Sequence, residues 1–143
     1  MLCPFCSHQD THVLESRLAE RGVRRRRECL KCDTRFTTYE QAVFHLTVLK
    51  KDGRTQPFDI QKVSRGIERA CGKVEPEIIS GLVKRIEQKI LTKKLNPMPS
   101  REIGKVVLQE LKKVDKMAYV RFASIYKSID DPQLLKKEVN LIA

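Results

Sequence analysis

The sequence of 143 residues contains no tryptophan, only six glycines and six prolines, and fewer acidic than basic side chains, 18 against 29. No apolar run approaches the roughly 20 residues of a membrane-spanning helix, and the N-terminal residues do not form a secretory leader pattern. Glycine-rich phosphate loops, the Gly-x-Gly-x-x-Gly fingerprint and the His-Glu-x-x-His motif are also missing. These absences disfavour a membrane protein and several common enzyme classes. We expect a cytoplasmic protein.

Cysteine is also scarce, but four of the five cysteines form one pattern. Cys3 and Cys6 make one Cys-x-x-Cys pair, and Cys29 and Cys32 make a second pair after 22 intervening residues. Two such pairs on facing turns can place four thiolates around one ion, which is the spacing of a structural zinc ribbon with one Zn²⁺ per chain. Two disulfides or a redox pair are the alternatives, although a reducing cytoplasm favours metal.

Other potential ligands fit less well. His8 and His12 could replace a thiolate, but with four cysteines at the right spacing we expect both histidines on the surface. Cys71 stands alone in an apolar helical pattern and is predicted to be a small core residue.

The residues between and after the cysteine pairs predict a small antiparallel sheet. Strands are expected over residues 11–17, 23–29 and 34–39, because these runs are rich in β-formers and a turn at Arg21-Gly22 separates the first two. A ribbon of residues 1–45 has too little apolar sequence for a core. We therefore expect zinc binding and folding of this domain to be coupled.

Arginines concentrate on this predicted sheet. A guanidinium group offers a planar fork of donors that fits phosphate oxygens and the guanine edge. The candidate nucleic-acid contacts are Arg17, Arg24, Arg25, Arg26, Arg27 and Arg35. In an extended strand, alternate members of the run face opposite sides of the sheet. A solvated face or a localisation signal is the alternative. One small ribbon reads little sequence, so dimers and paired half-sites are expected.

The remaining residues predict a β-hairpin followed by a cluster of helices. Strands over residues 44–51 and 54–58 flank an Asp-Gly turn, and Asp59 is expected to cap a helix that ends at Gly72. Further helices are predicted to start near Pro76, Ser100 and Asp115, and residues 131–143 are predicted to form a short helical tail. The predicted fold class is α+β, with domains over residues 1–45 and 46–130 before that tail.

Three lysines suggest an anion site in the second domain. Lys50 and Lys51 lie on the predicted hairpin, and Lys62 lies in the first turn of the following helix. Lysines that converge beside the free N–H groups of a helix N-terminus can hold a triphosphate. Solvated lysines are the alternative. No catalytic nucleophile with a neighbouring general base is recognisable.

Longer motifs carry a family resemblance. Residues 48–54 and 57–63 resemble the opening of an ATP-cone, the nucleotide-sensing domain of ribonucleotide reductases. With Cys-Pro-Phe-Cys, the arginine run and the motifs at residues 35–40, 99–104 and 118–126, the chain resembles the NrdR family of bacterial transcriptional repressors. The resemblance covers roughly residues 1–130 and fades beyond them.

The resemblance implies a non-enzymatic repressor of ribonucleotide reductase genes. It implies a zinc ribbon that binds paired operator boxes in double-stranded DNA, and a cone that binds ATP and dATP as effectors. It further implies a homo-oligomer whose form depends on the nucleotide, acting at the nucleoid of a bacterial cytoplasm. The alternatives are an RNA- or ribosome-associated zinc-ribbon protein without nucleotide control, and an enzyme or the regulatory subunit of an enzyme.

The resemblance also implies which side chains meet the nucleotide. Those on the hairpin and at the start of the first helix are Val48, Lys50, Lys51, Gln56, Asp59 and Lys62. Tyr126 would close the pocket from a later helix, with Tyr119 and Lys127 as further candidates there. Lys51 stands where the family often has arginine, which keeps the charge but loses the bidentate geometry.

Overall fold

Three antiparallel strands form the first of two units into which the chain divides, Met1–Phe44. The computed structural model describes residues 1–143. β1 (Thr11–Ala19), β2 (Gly22–Cys29) and β3 (Arg35–Gln41) lie in the order β1-β2-β3, so the arginine-rich strand is central. The three predicted strands are confirmed, with ends that differ by one or two residues.

This sheet buries almost no apolar surface. Cys3 and Cys29 are the only buried residues of the unit, whereas Leu18 is 91% exposed and Val43 is 81% exposed. A sheet of this size needs apolar packing or a cross-link to hold its strands together. The cysteine cluster therefore takes the place of a hydrophobic core.

The second unit, His45–Ala143, begins with a small sheet. β4 (Thr47–Leu49) and β5 (Thr55–Pro57) form the predicted hairpin, and β6 (Met98–Pro99) pairs with β4 in parallel. The sequence did not predict β6, because two residues are too few to show a strand pattern and the segment reads as a helix breaker. The Asn96 side chain extends this pairing, since it donates to the His45 carbonyl at 3.0 Å and accepts from the Thr47 amide at 3.1 Å.

Five helices complete the unit. They are α1 (Ile60–Cys71), α2 (Pro76–Thr92), α3 (Ser100–Val114), α4 (Lys116–Tyr126) and α5 (Pro132–Asn140). The carboxylate of Asp59 accepts from the amide of Gln61 at 2.9 Å and so caps α1, and Asp115 caps α4 in the same way. The predicted cap at Ser100 is wrong, because Ser100 is the first residue of α3 and its side chain makes no capping bond. None of these helices is long and apolar enough to span a membrane.

The helices pack around one apolar core. Its fully buried members include Ile67 of α1, Leu82 and Ile86 of α2 and Leu111 of α3. Cys71 belongs to this cluster, as the sequence predicts. Burial of about 2 kcal/mol per large aliphatic side chain makes this core the main source of stability for the unit.

One buried carboxylate ties α2 to α3. Glu110 of α3 is 3% exposed, and its oxygens lie 2.5 Å from Lys89 Nζ, 2.9 Å from Lys113 Nζ and 3.6 Å from Arg85 Nε. Burial, the largest single influence, would raise the pKa of Glu110, but the hydrogen bonds from Lys89 and Lys113 and their charges together outweigh it and lower that pKa. The charged carboxylate is thus paired, which avoids the large cost of an isolated buried charge.

Candidate functional site

The four predicted metal ligands form one cluster. The Sγ atoms of Cys3 and Cys32 lie 3.7 Å apart, those of Cys6 and Cys29 lie 3.6 Å apart, and all four lie within 4.8 Å of one another. A tetrahedral Zn²⁺ with bonds of about 2.3 Å separates its thiolates by about 3.8 Å. The two shorter separations match this value, so the cluster suits a tetrahedral zinc site.

Backbone amides support two of these thiolates. The amides of Phe5 and Lys31 each lie 3.4 Å from a ligand sulfur, that of Cys3 and that of Cys29, respectively. Such N–H donors offset the negative charge that four thiolates bring to one ion. His8 and His12 lie outside the cluster, as expected.

The arginine run alternates between the two faces of the sheet, as predicted. Arg24 and Arg26 are exposed, whereas Arg25 and Arg27 are half-buried on the opposite face. The register places Arg17 and Arg35 on the same side as the exposed pair. These four residues, Arg17, Arg24, Arg26 and Arg35, are called the exposed arginine face below.

The half-buried arginines bridge the strands. Arg27 Nε donates to Thr38 Oγ1 of β3 at 3.1 Å. Arg25 donates to Ser16 Oγ of β1 at 3.4 Å and lies 3.2 Å from a carboxylate oxygen of Glu40 on β3. Both side chains therefore hold the sheet together, and the two are less available to an external ligand.

Positive charge on the exposed arginine face is only partly neutralised. Arg17 pairs with Glu15 at 2.6 Å, and Arg35 pairs with Glu28 at 2.5 Å. Arg24 lies directly opposite Arg17 across the strands, and neither Arg24 nor Arg26 forms an ion pair. Like charges in directly opposed positions repel one another. An anion bound to this face would relieve that repulsion.

A cavity and an adjoining cleft lie in the second unit. The cavity, of about 240 Å³, lies between β4, the start of α1, α3 and α4, and the cleft has about 590 Å³. They share Lys50, Gln56, Ser100 and Tyr126. All seven residues that the resemblance implies at the nucleotide line one or both, namely Val48, Lys50, Lys51, Gln56, Asp59, Lys62 and Tyr126.

Local structure explains why the lysines meet. Val48 is 5% exposed in the central strand of the small sheet, so its burial anchors β4. The hairpin closes where the Lys50 amide donates to the Arg54 carbonyl at 2.8 Å. Gly53 has a φ of +85° in this turn, a conformation that a side chain would strain. Asp59 then starts α1, so its positive N-terminus lies at the cavity. Three lysines without an ion pair and a helix N-terminus give a site for a highly charged anion.

The apolar lining was missed by sequence reasoning. It includes Phe58 from the end of the hairpin and the helix residues Val63, Ile103, Val107 and Phe122. Helical periodicity marks a side chain as inward-facing, but it does not show that the packed helices leave a gap.

Tyr126 is held in place by its close approach to α3. A Cβ atom at Gly104 would overlap the Tyr126 ring, so only glycine allows this approach. Tyr126 Oη donates to the Arg101 carbonyl at 2.8 Å. The ring stacks on Phe122 with centroids 6.0 Å apart, and Lys51 Nζ lies 5.9 Å from its centroid. Tyr126 therefore forms an aromatic wall that lines both the cavity and the cleft, with a cation beside it.

Two further candidates do not line the cavity or the cleft. Tyr119 and Lys127 bond instead to Glu138 of α5, at 3.1 Å and 2.6 Å. The structure does not support the expectation that they contact the nucleotide, because Tyr119 points from α4 toward α5 and the chain turns at Lys127.

The fold and the two sites define a class of protein: a two-domain regulator built from a zinc ribbon and an ATP-cone. Residues 1–40 match the family "Transcriptional repressor NrdR-like, N-terminal domain", and residues 46–132 match "ATP cone domain". The chain belongs to the NrdR family of transcriptional repressors, which are regulators rather than enzymes.

Curated relatives support this membership along most of the chain. The chain is 46% identical to the transcriptional repressor NrdR of Albidiferax ferrireducens in an alignment of 136 positions that covers 92% of this chain and 91% of that protein. It is 47% identical to NrdR of Bordetella avium, covering 92% of this chain and 85% of the relative. Its identity to NrdR of Herminiimonas arsenicoxydans is 45%, with 92% and 87% covered.

Removal of the metal should unfold the ribbon and leave the helical unit intact. Structural zinc contributes on the order of 10 kcal/mol to the folding of small domains, and this sheet has no core to replace it. We expect a strong chelator to release one zinc per chain and to abolish amide protection in β2, while helical circular dichroism is retained. The measurements are metal release and hydrogen exchange by mass spectrometry.

Cysteine variants provide the control for this experiment. Cys29→Ser should fail to hold zinc, whereas Cys71→Ala removes a thiol outside the cluster and should keep full zinc stoichiometry. Continued amide protection of β2 in metal-free protein would contradict the dependence of the sheet on zinc.

Proposed function

We propose that this repressor senses ATP and dATP in its cone and that the bound nucleotide controls its assembly and its affinity for DNA. The observation that carries the proposal is the convergence of seven separate side chains on one cavity and cleft. These residues come from a strand, a hairpin turn, a helix start and a distant helix. The proposed regulated genes are those of ribonucleotide reductase, whose products supply deoxynucleotides.

The two spaces suit the two ends of a nucleoside triphosphate. The cavity has apolar walls formed by Phe58, Val63, Ile103 and Phe122, which suit a purine base. The cleft is lined by Lys50 and Lys51, which form no ion pair and suit phosphates, and by Arg54, which is paired with Asp52. Lys62 and the N-terminus of α1 add positive charge at the cavity.

Discrimination between ATP and dATP would depend on one hydroxyl group. The ribose of a nucleotide in this pose would lie at the junction of cavity and cleft, where Gln56, Ser100 and Tyr126 supply polar atoms. A site that bonds a ligand hydroxyl rejects the analogue that lacks it. To switch the population of an assembly, the two ligands must differ by a few kcal/mol in their preference for its alternative forms.

The exposed arginine face is the proposed DNA surface. Arg24 and Arg26 have no acidic partner, and phosphate or guanine would complement them. One ribbon is small, so we propose that a homo-oligomer presents two ribbons to paired operator boxes in double-stranded DNA. The nucleotide would act by changing which oligomer forms and thus the spacing of its ribbons. We propose that this activity takes place in the bacterial cytoplasm, at the nucleoid.

Loss of a lysine at the cavity should weaken nucleotide binding. Lys62→Ala removes one charge-assisted hydrogen bond, worth about 1.5–3 kcal/mol, so we expect the Kd for ATP and dATP to rise about tenfold or more. Isothermal titration of the zinc-loaded protein measures this. Lys136→Ala removes an exposed charge on α5 and should bind as the wild type does; equal affinity of the Lys62 variant would argue against this site.

Salt dependence tests the DNA surface. The logarithm of the operator binding constant should fall steeply with the logarithm of salt concentration, and Arg26→Ala should reduce the slope by about one if its guanidinium group neutralises one phosphate. Lys136→Ala is again the matched control. An unchanged slope for Arg26→Ala would place the DNA surface elsewhere, and equally tight RNA binding without nucleotide would favour the RNA-associated alternative.

A further inference from the structure

The C-terminal helix is part of the packed domain. Ile142, just beyond α5, is 6% exposed within the apolar core, and Lys112 Nζ of α3 donates to the Leu141 carbonyl at 3.0 Å. The match to the ATP-cone family ends at residue 132, where α5 begins. This chain therefore carries an anchored helix beyond the part that matches the cone family.

The carboxylate of Glu138 on α5 bonds to two side chains, one on α4 and one at its C-terminal cap. Tyr119 Oη donates to Glu138 Oε2 at 3.1 Å, and Lys127 Nζ donates to Oε1 at 2.6 Å. Tyr119 and Lys127 are eight residues apart, or about two helical turns. The Glu138 side chain is only 13% exposed, and its hydrogen bond from Lys127 lowers the pKa of Glu138, so the group is charged at neutral pH.

The bond between Lys127 and Glu138 lies at the last turn of α4, and this turn carries Tyr126. Lys127 follows Tyr126 directly and is the C-cap of α4. In the same turn Ala123 is buried in the core, whereas Ile125 is 79% exposed, so core packing holds one side of the turn and leaves the other side in solvent. The Tyr126 ring is confined toward α3 by Gly104 and the Arg101 carbonyl, and the backbone behind it is held by the bond between Lys127 and Glu138.

We propose that Glu138 is a positioning residue for nucleotide binding, which acts by fixing the last turn of α4 and with it the Tyr126 wall of the cavity. The role rests on the proposed function, since it concerns the same site. Tyr119 and Lys127 contribute through Glu138 and do not touch the ligand.

The test compares Glu138→Gln with Glu87→Gln in the full zinc-loaded chain. Glu87 is a partly buried glutamate of α2 whose carboxylate makes no hydrogen bond. Its replacement by glutamine is therefore the same chemical change without the loss of an ion pair. Glu138→Gln removes the charge that pairs with Lys127, and Tyr119→Phe removes only one hydroxyl. Titrations use ATP and, as a probe without base or ribose, inorganic tripolyphosphate.

We expect Glu138→Gln to raise the Kd for ATP about three- to tenfold and Tyr119→Phe to raise it less. Tripolyphosphate affinity should fall less than ATP affinity, because the lysines of the cleft are retained although Tyr126 also lines it. Hydrogen exchange should become faster at the amides of Lys127, Ser128 and Ile129, which bond back to the last turn of α4. Glu87→Gln should match the wild type in every measurement.

Two results would overturn the role of Glu138. One is an unchanged Kd for ATP in Glu138→Gln. The other is an equal loss of ATP and tripolyphosphate affinity with faster exchange throughout the core, which indicates general destabilisation. If the wild-type protein binds neither ATP nor dATP, both the proposed function and the role of Glu138 are refuted. If the wild type binds ATP and Glu138→Gln binds it equally well, only the role of Glu138 is refuted.

Discussion

The ribbon depends on one constraint, the metal cross-link for which its four cysteine thiolates are placed. Its three strands bury only Cys3 and Cys29, and the large apolar side chains of the unit remain partly or fully exposed. A sheet without a core is not stable alone, so the metal stabilises the strand on which Arg24 and Arg26 face one side and Arg25 and Arg27 the other. The proposed DNA surface is therefore a consequence of metal binding.

The helical unit differs, because its apolar core is large and its candidate binding site is a cavity beside that core. The cavity persists because β4 is held in a three-stranded sheet and because Gly104 lets Tyr126 lie against α3. Lys50, Lys51 and Lys62 then place positive charge at the opening of an apolar space. This combination of an apolar interior and a cationic rim suits a nucleotide better than it suits an inorganic anion.

Features encoded by neighbouring residues could be predicted from the sequence. The cysteine spacing, the caps at Asp59 and Asp115 and the alternation of the arginines are all confirmed, because each depends on short-range geometry. The strand at Met98 could not be predicted, since its only signal is a partner about 50 positions away. The apolar lining and the pairing of Tyr119 and Lys127 with Glu138 depend likewise on how the helices pack.

The central claim is that the identity of the nucleotide selects the assembly. The most direct measurement is the molar mass of zinc-loaded protein by light scattering, without nucleotide, with ATP and with dATP plus ATP. The account predicts different masses for the ATP and dATP samples, with the bound nucleotide confirmed in each. The same mass in both nucleotide-bound samples would contradict control through assembly.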